Sequence, residues 1–278
     1  MRGTNVMTFI EVGRNINHSH NTILGIITKP INNLDCVENP FIIFCHGYNG
    51  NRVEDNRLTV KLSRSLAELG FMSFRFDFLG SGVSDGFFHE WTLNDRVSQV
   101  KTIKENLKNQ IGFKKIVLVG LSDGCRVVLD ACSSITDVTA AIIISPQLFN
   151  KDWKDDNKET GGLSNKLTLK RSRLHGKIMP CDDVGVWLHP RYLSNEGEYY
   201  MDIIEKLIYK IPILTVFGGS DNYVTATKNR FLNILSNLTI NTIKNADHLY
   251  NSEEFMDELF NLIIKFLNVD LIKEDTIC

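Results

Sequence analysis

The sequence predicts an α/β fold, a mostly parallel sheet with helices covering both faces. Three observations carry this reading. Short apolar runs, among them Lys115–Val119, Ala140–Ile144 and Ile211–Phe217, alternate with longer stretches of helical periodicity, which is the pattern of strands crossing over through helices. Gly120-Leu121-Ser122-Asp123-Gly124 stands where one such run gives way to a helix-like segment, so a sharp strand-to-helix turn is expected there. The 278 residues are 43% hydrophobic and 23% charged, the balance of one globular α/β unit with an insertion rather than two equal domains.

The elements follow in order. Residues up to about Asn39 are expected to form an antiparallel start, with Thr22–Lys29 a strand closed by Pro30. Pro40–Cys45 is the next strand. Glu54–Leu69, with Leu58, Val60, Leu62, Leu66 and Leu69 at helical spacing, is the first covering helix; after the strand Met72–Phe78, Leu93–Ile111 is the second. Lys115–Val119 leads through the serine turn into the helix Cys125–Ala131, and Ala140–Ile144 follows as a strand. Residues 147–210 break the alternation. They open on the charge run Lys151–Glu159 yet carry Trp153, Trp187, Tyr192, Tyr199 and Tyr200, which need something to cover, so an inserted lid lining a pocket is expected, over a core of residues 1–146 and 211–278. Leu238–Ile243 alternates as a strand, and the amphipathic stretch Met256–Leu267 closes the fold.

Two glycines around a serine suit a strained elbow, since a side chain at either place would meet the neighbouring strand or helix. Ser122 is the candidate nucleophile. A serine hydroxyl needs a base, and the base an orienting acid. Asp221 follows the strand Ile211–Phe217 and is the candidate acid; His248 follows Leu238–Ile243 and is the candidate base. The order serine, aspartate, histidine, each after an apolar strand, puts all three at one edge of the sheet, where open α/β sheets hold their sites. Asp247 competes formally as the acid, but as the neighbour of His248 it cannot easily reach that ring's Nδ1 and reads as a loop residue. Acyl transfer also needs two backbone N–H groups for the oxyanion; those of Tyr48 and Asp123 are the candidates. His46 reads as a brace for the Tyr48 loop.

Phe44-Cys45-His46-Gly47-Tyr48, the segment Phe74–Gly86, the serine elbow, Gly219-Ser220-Asp221 and Ala246-Asp247-His248 together resemble the α/β-hydrolase superfamily. Within it the chain is most similar to small bacterial esterases of the cinnamoyl or feruloyl type and to serine aminopeptidase-like hydrolases. The resemblance implies an eight-stranded-type, mostly parallel sheet and a two-step reaction through an acyl-serine, with no metal or cofactor. It implies first an esterase acting on a small to medium acyl group. A thioesterase or acyltransferase working on a carrier-bound acyl chain is the alternative, followed by an aminopeptidase-like hydrolase or a non-catalytic ligand receptor. The family elbow commonly has histidine, glutamine and glycine where Leu121, Asp123 and Cys125 stand. A carboxylate at 123 would oppose the oxyanion unless it turns away and caps the helix N-terminus.

Other classes are disfavoured. Gly80–Gly86 is glycine-rich, but Asp85 occupies the third glycine position of a dinucleotide loop and no helix opens there. A net charge of −2 makes no electrostatic case for nucleic acid or membranes. Lys166–Lys177 is the exception, five basic residues without an acidic one, and would suit an acyl carrier protein or an acidic substrate. The six scattered cysteines read as reduced thiols, and Met1–Glu11 lacks the apolar core of a leader, so a cytoplasmic location is expected.

Overall fold

The structure, a computed structural model, describes residues 8–31, 39–149, 179–181, 186–189, 197–232 and 238–268. Its centre is an eight-stranded sheet made of β1 (Phe9–His18), β2 (Asn21–Pro30), β3 (Phe41–Cys45), β4 (Ser73–Phe76), β5 (Ile116–Leu121), β6 (Val138–Ile144), β9 (Ile213–Gly218) and β10 (Thr239–Ile243). The spatial order is β1-β2-β4-β3-β5-β6-β9-β10. From β4 to β10 all neighbours are parallel, while β2 pairs antiparallel with both β1 and β4. β1 was not anticipated as a separate strand: its burial alternates only loosely, so its residues show no apolar run.

The central strands are apolar without interruption because both of their faces are covered. Phe41, Ile43, Cys45, Ile116 and Leu118 point into one core; Ile42, Phe44, Val117, Val119 and Leu121 point into the other. The first core is filled by α2 (Leu93–Ile111) and α3 (Gly124–Ser134), the second by α1 (Leu58–Glu68). α2 spans the residues its periodicity indicates, bounded by a Thr92/Asp95 capping box and by Gly112 at φ 83°. α1 starts later than Glu54. Asn56 and Arg57 have positive φ, and a short 3-10 turn, Asp55–Arg57, precedes the helix.

Within residues 147–210 the described elements are two short strands and a helix. β7 (Met179–Cys181) and β8 (Val186–Leu188) form a two-stranded ribbon, and α4 (Gly197–Leu207) packs on α3 with Tyr200, Met201, Ile203, Ile204 and Leu207 buried in the first core. α4 is thus the covering helix that returns the chain from β6 to β9. α5 (Thr225–Phe231) and α6 (Glu253–Phe266) complete the layers, α6 beside α1.

Candidate active site

Ser122 sits at the C-terminal end of β5, at the entrance to α3. Its φ of 53° is left-handed, a conformation that serine holds only when its surroundings enforce it. They do so through contact. A Cβ on Gly124 would lie 2.3 Å from the Cys45 carbonyl oxygen, and one on Gly120 would lie 2.8 Å from Cys125 Cα. The Ser122 N–H donates to the Ile144 carbonyl at 2.8 Å, which ties the elbow to the end of β6.

The ends of β9 and β10 bring the other two residues to it. His248 Nε2 is 2.9 Å from Ser122 Oγ, and His248 Nδ1 is 2.7 Å from Asp221 Oδ2. An ionised carboxylate only accepts, so Nδ1 carries the hydrogen and Nε2 is left to accept from the serine hydroxyl. The Asp221 side chain is fully buried, and its Oδ1 accepts the Tyr223 N–H at 3.0 Å, fixing the carboxylate from its other side. The half-exposed Tyr223 ring stands 5.3 Å from the imidazole. Asp247 turns elsewhere, as expected of a loop residue. It accepts from the Leu249 and Asn251 amides at 3.1 and 3.0 Å and from Asn251 Nδ2 at 2.7 Å.

The loop after β3 closes on this elbow. A Cβ on Gly47 would lie 3.3 Å from the Leu121 carbonyl and 3.4 Å from Ser122 Cβ, so the Gly47–Tyr48 backbone runs beside the serine. His46 braces the loop with a buried ring: Nε2 accepts the Phe78 N–H at 3.0 Å and Nδ1 donates to the Gly47 carbonyl at 2.9 Å. Burial, helped by the Arg96 charge, pushes its pKa down to about 3, so the ring is neutral and its tautomer fixed. The Tyr48 ring meets Phe88 edge to face at 5.6 Å.

Asp123 corrects an expectation. Its carboxylate makes no capping bond to α3; it is wholly buried, 3.2 Å from Arg126 Nη1 and 4.0 Å from Arg96 Nη1. Two buried guanidiniums attract a carboxylate more strongly than the partial charge of a helix end. Arg96 lies between the Phe78 and Phe88 rings at 4.8 and 4.9 Å, and Arg126 lies over Tyr200 at 5.3 Å. Arg126, three residues along the helix, was a readable signal; Arg96, on another helix, was not.

Of the five aromatic residues expected to line a pocket, Tyr199 and Tyr200 lie on α4, and Trp187 lies partly buried on β8, which packs near the 3-10 turn Phe88–Glu90. Trp153 and Tyr192 lie outside the described residues, as does the basic stretch 166–177. The Gly80–Gly86 loop wraps a protein carboxylate: Asp77 accepts the Arg52 and Val83 amides at 2.7 and 2.9 Å and pairs with the Arg52 guanidinium. Among the described residues no cluster of His, Cys, Asp and Glu could hold a metal, and no helix is long and apolar enough to cross a membrane.

Comparison with known proteins agrees with this architecture. Residues 40–166 match the family described as alpha/beta hydrolase fold. Est1E from Butyrivibrio proteoclasticus, solved with ferulic acid bound, superposes with a TM-score of 0.69 at 20% identity, over 92% of this chain and 98% of that one. An alpha-beta serine hydrolase homologue from Coxiella burnetii gives 0.64 at 19% identity, over 93% and 97%. The Pyrococcus furiosus esterase Pf2001 gives 0.64 at 18% identity, over 94% and 91%. No curated protein sequence matches significantly. With the serine elbow, the sheet order and these similarities in agreement, the chain is a protein of the α/β-hydrolase fold with esterases among its structural neighbours.

Proposed function

We propose that the chain is a serine hydrolase of carboxylic esters with small to medium acyl groups, acting through an acyl-serine. The observation that carries this is the hydrogen-bonded series from Asp221 through His248 to a serine held at φ 53°. In this reading His248 takes the Ser122 proton as Oγ attacks the ester carbonyl. The amides of Tyr48 and Asp123 receive the oxyanion, each donor worth about 10²- to 10³-fold in rate. The imidazolium, balanced by Asp221, then protonates the departing alcohol. Water enters in its place and gives a proton to Nε2 as it adds to the acyl carbonyl; the imidazolium then returns that proton to Ser122 Oγ as the C–Oγ bond breaks and the acid leaves. Residues 147–210 contribute a partial cover, with Trp187 the described aromatic residue among those proposed to line it.

A fluorophosphonate probe and a p-nitrophenyl ester test the assignment. Ser122→Ala and His248→Ala should each lower kcat by about 10⁴- to 10⁶-fold and the double variant little further, because the residues act as a unit; losses that multiply, or labelling that survives Ser122→Ala, would refute it. Asp221→Asn should cost about 10⁴-fold by favouring the wrong tautomer, whereas Asp247→Asn should cost little. The reverse ranking would identify Asp247 as the acid. A thioesterase or acyltransferase acting on a carrier protein is the second reading. The basic stretch 166–177 favours it, and neutralising Lys170, Arg171 and Arg173 would then slow a carrier-bound thioester while sparing a neutral ester.

A further inference from the structure

We infer that Glu54 is a positioning residue for the oxyanion loop, and that its carboxyl must be protonated for the loop to stabilise the oxyanion fully. The inference rests on Ser122 being the nucleophile. Glu54 stands behind the loop, separated from the serine by a single glycine. Its Oε1 accepts the Gly47 N–H at 2.8 Å, and a Cβ built on Gly47 would lie 3.9 Å from that oxygen and 3.4 Å from Ser122 Cβ. Gly50, at the other end of the loop, is pressed against the same carboxyl: a Cβ there would lie 2.9 Å from Oε2. The carboxyl therefore spans the inside of the Gly47–Gly50 turn.

The backbone gives independent support. Glu54 has φ 55° and ψ 171°, a region entered almost only by glycine, so its position is enforced at the expense of local strain. Its N–H donates to the Asn51 carbonyl and its own carbonyl accepts from Arg57, which anchors the residue between the loop and α1.

Among the described residues no ion pair supplies the carboxyl with a cation. Asp55 and Asp77 repel its charge, the Arg52 guanidinium is paired with Asp77, and the His46 ring is neutral. Burial with these two carboxylates raises the Glu54 pKa to about 7, against the pull of the Gly47 hydrogen bond. Protonated, the carboxyl still accepts from Gly47 and holds the turn. Ionised, it puts a negative charge one residue from the place where the oxyanion forms, about 7 to 10 Å away, a repulsion that at an effective dielectric of about 20 lowers the rate by about 20- to 50-fold.

The test is kcat/KM for p-nitrophenyl acetate from pH 5.5 to 9 for the full-length wild type, Glu54→Gln and Glu54→Ala, with fluorophosphonate labelling and circular dichroism of each. The expected wild-type profile rises on its acid side, as general-base catalysis requires, and then falls about 20- to 50-fold, with a midpoint near 7. Glu54→Gln keeps the rise and loses the fall. Glu54→Ala, which removes the clamp, is at least about tenfold below Glu54→Gln at pH 6, as for the loss of an oxyanion donor. In parallel, a carboxyl ¹³C titration of the wild type should show one glutamate with a midpoint matching the alkaline fall. Parallel profiles for wild type and Glu54→Gln would overturn the inference. So would the absence of any glutamate titrating above pH 6, even if neither variant folds. If the probe fails to label Ser122 in the wild type, the ester-hydrolase reading fails instead.

Discussion

The loop after β3 and the turn after β5 each set a carboxylate against the backbone around Ser122, and they deal with its charge in different ways. Asp123 is answered by two guanidiniums inside the protein. Glu54 has no cation paired with it among the described residues and is held by a backbone amide. A guanidinium opposes the charge of a carboxylate directly, whereas an amide leaves the carboxyl free to keep its proton. The first arrangement is fixed, and the second responds to the solution.

Breaking the fixed arrangement should have the larger effect. Asp123→Ala removes a buried carboxylate from beside two buried guanidiniums and should cost about 3–5 kcal/mol of unfolding free energy, measured by urea titration. An unchanged midpoint would show that the carboxylate is not what balances them. Breaking the responsive arrangement should be milder and of opposite sign above neutrality. Glu54 has a folded pKa near 7 against an ordinary value of 4.5, so the folded state holds the extra proton and the wild type loses stability as pH rises from 4.5 to 7. Glu54→Gln should therefore resist urea better than wild type at pH 8 and lose that advantage towards pH 5. An advantage that is constant with pH would separate the effect from titration.

The difference between the two carboxylates also marks how far the sequence could be read. Strands buried on both faces show themselves as unbroken apolar runs, and Ser122 and Asp221 each follow one, while His248 follows a strand marked by alternation, so the sheet and the order of these residues were legible. α2 was legible to the residue because Thr92, Asp95 and Gly112 bound it chemically. β1 was not, since half of an edge strand's residues face solvent. α4 hid within what read as an insertion, because Tyr199 and Tyr200 look the same whether they line a cover or pack on α3. Tyr199 and Tyr200 in fact both donate to Asp130 of that helix, at 2.7 and 3.2 Å. Arg96 and Glu54 went unread for different reasons: Arg96 takes its meaning from Asp123 in another element, whereas Glu54 is only seven residues from Gly47 but is joined to it by a loop whose path no local pattern shows. Glu54 was further disguised at the start of a helical pattern from which its positive φ excludes it.

The order of the strands has a consequence for how the chain reaches its working state. β5 lies in the interior of the sheet, β10 at its edge, and the bond between Ser122 and His248 joins residues 126 apart. Nothing local holds these two side chains together. Parallel pairing over such separations must first meet the entropy of closing long loops, and it is slow for that reason. Among the described residues β10 pairs with β9 alone, which must itself have found β6. An intermediate that has assembled β3 to β6 already contains the serine elbow and the loop that faces it, but no base. In refolding, compaction and helix content should therefore return well before ester cleavage, whose recovery times the docking of the last edge strand.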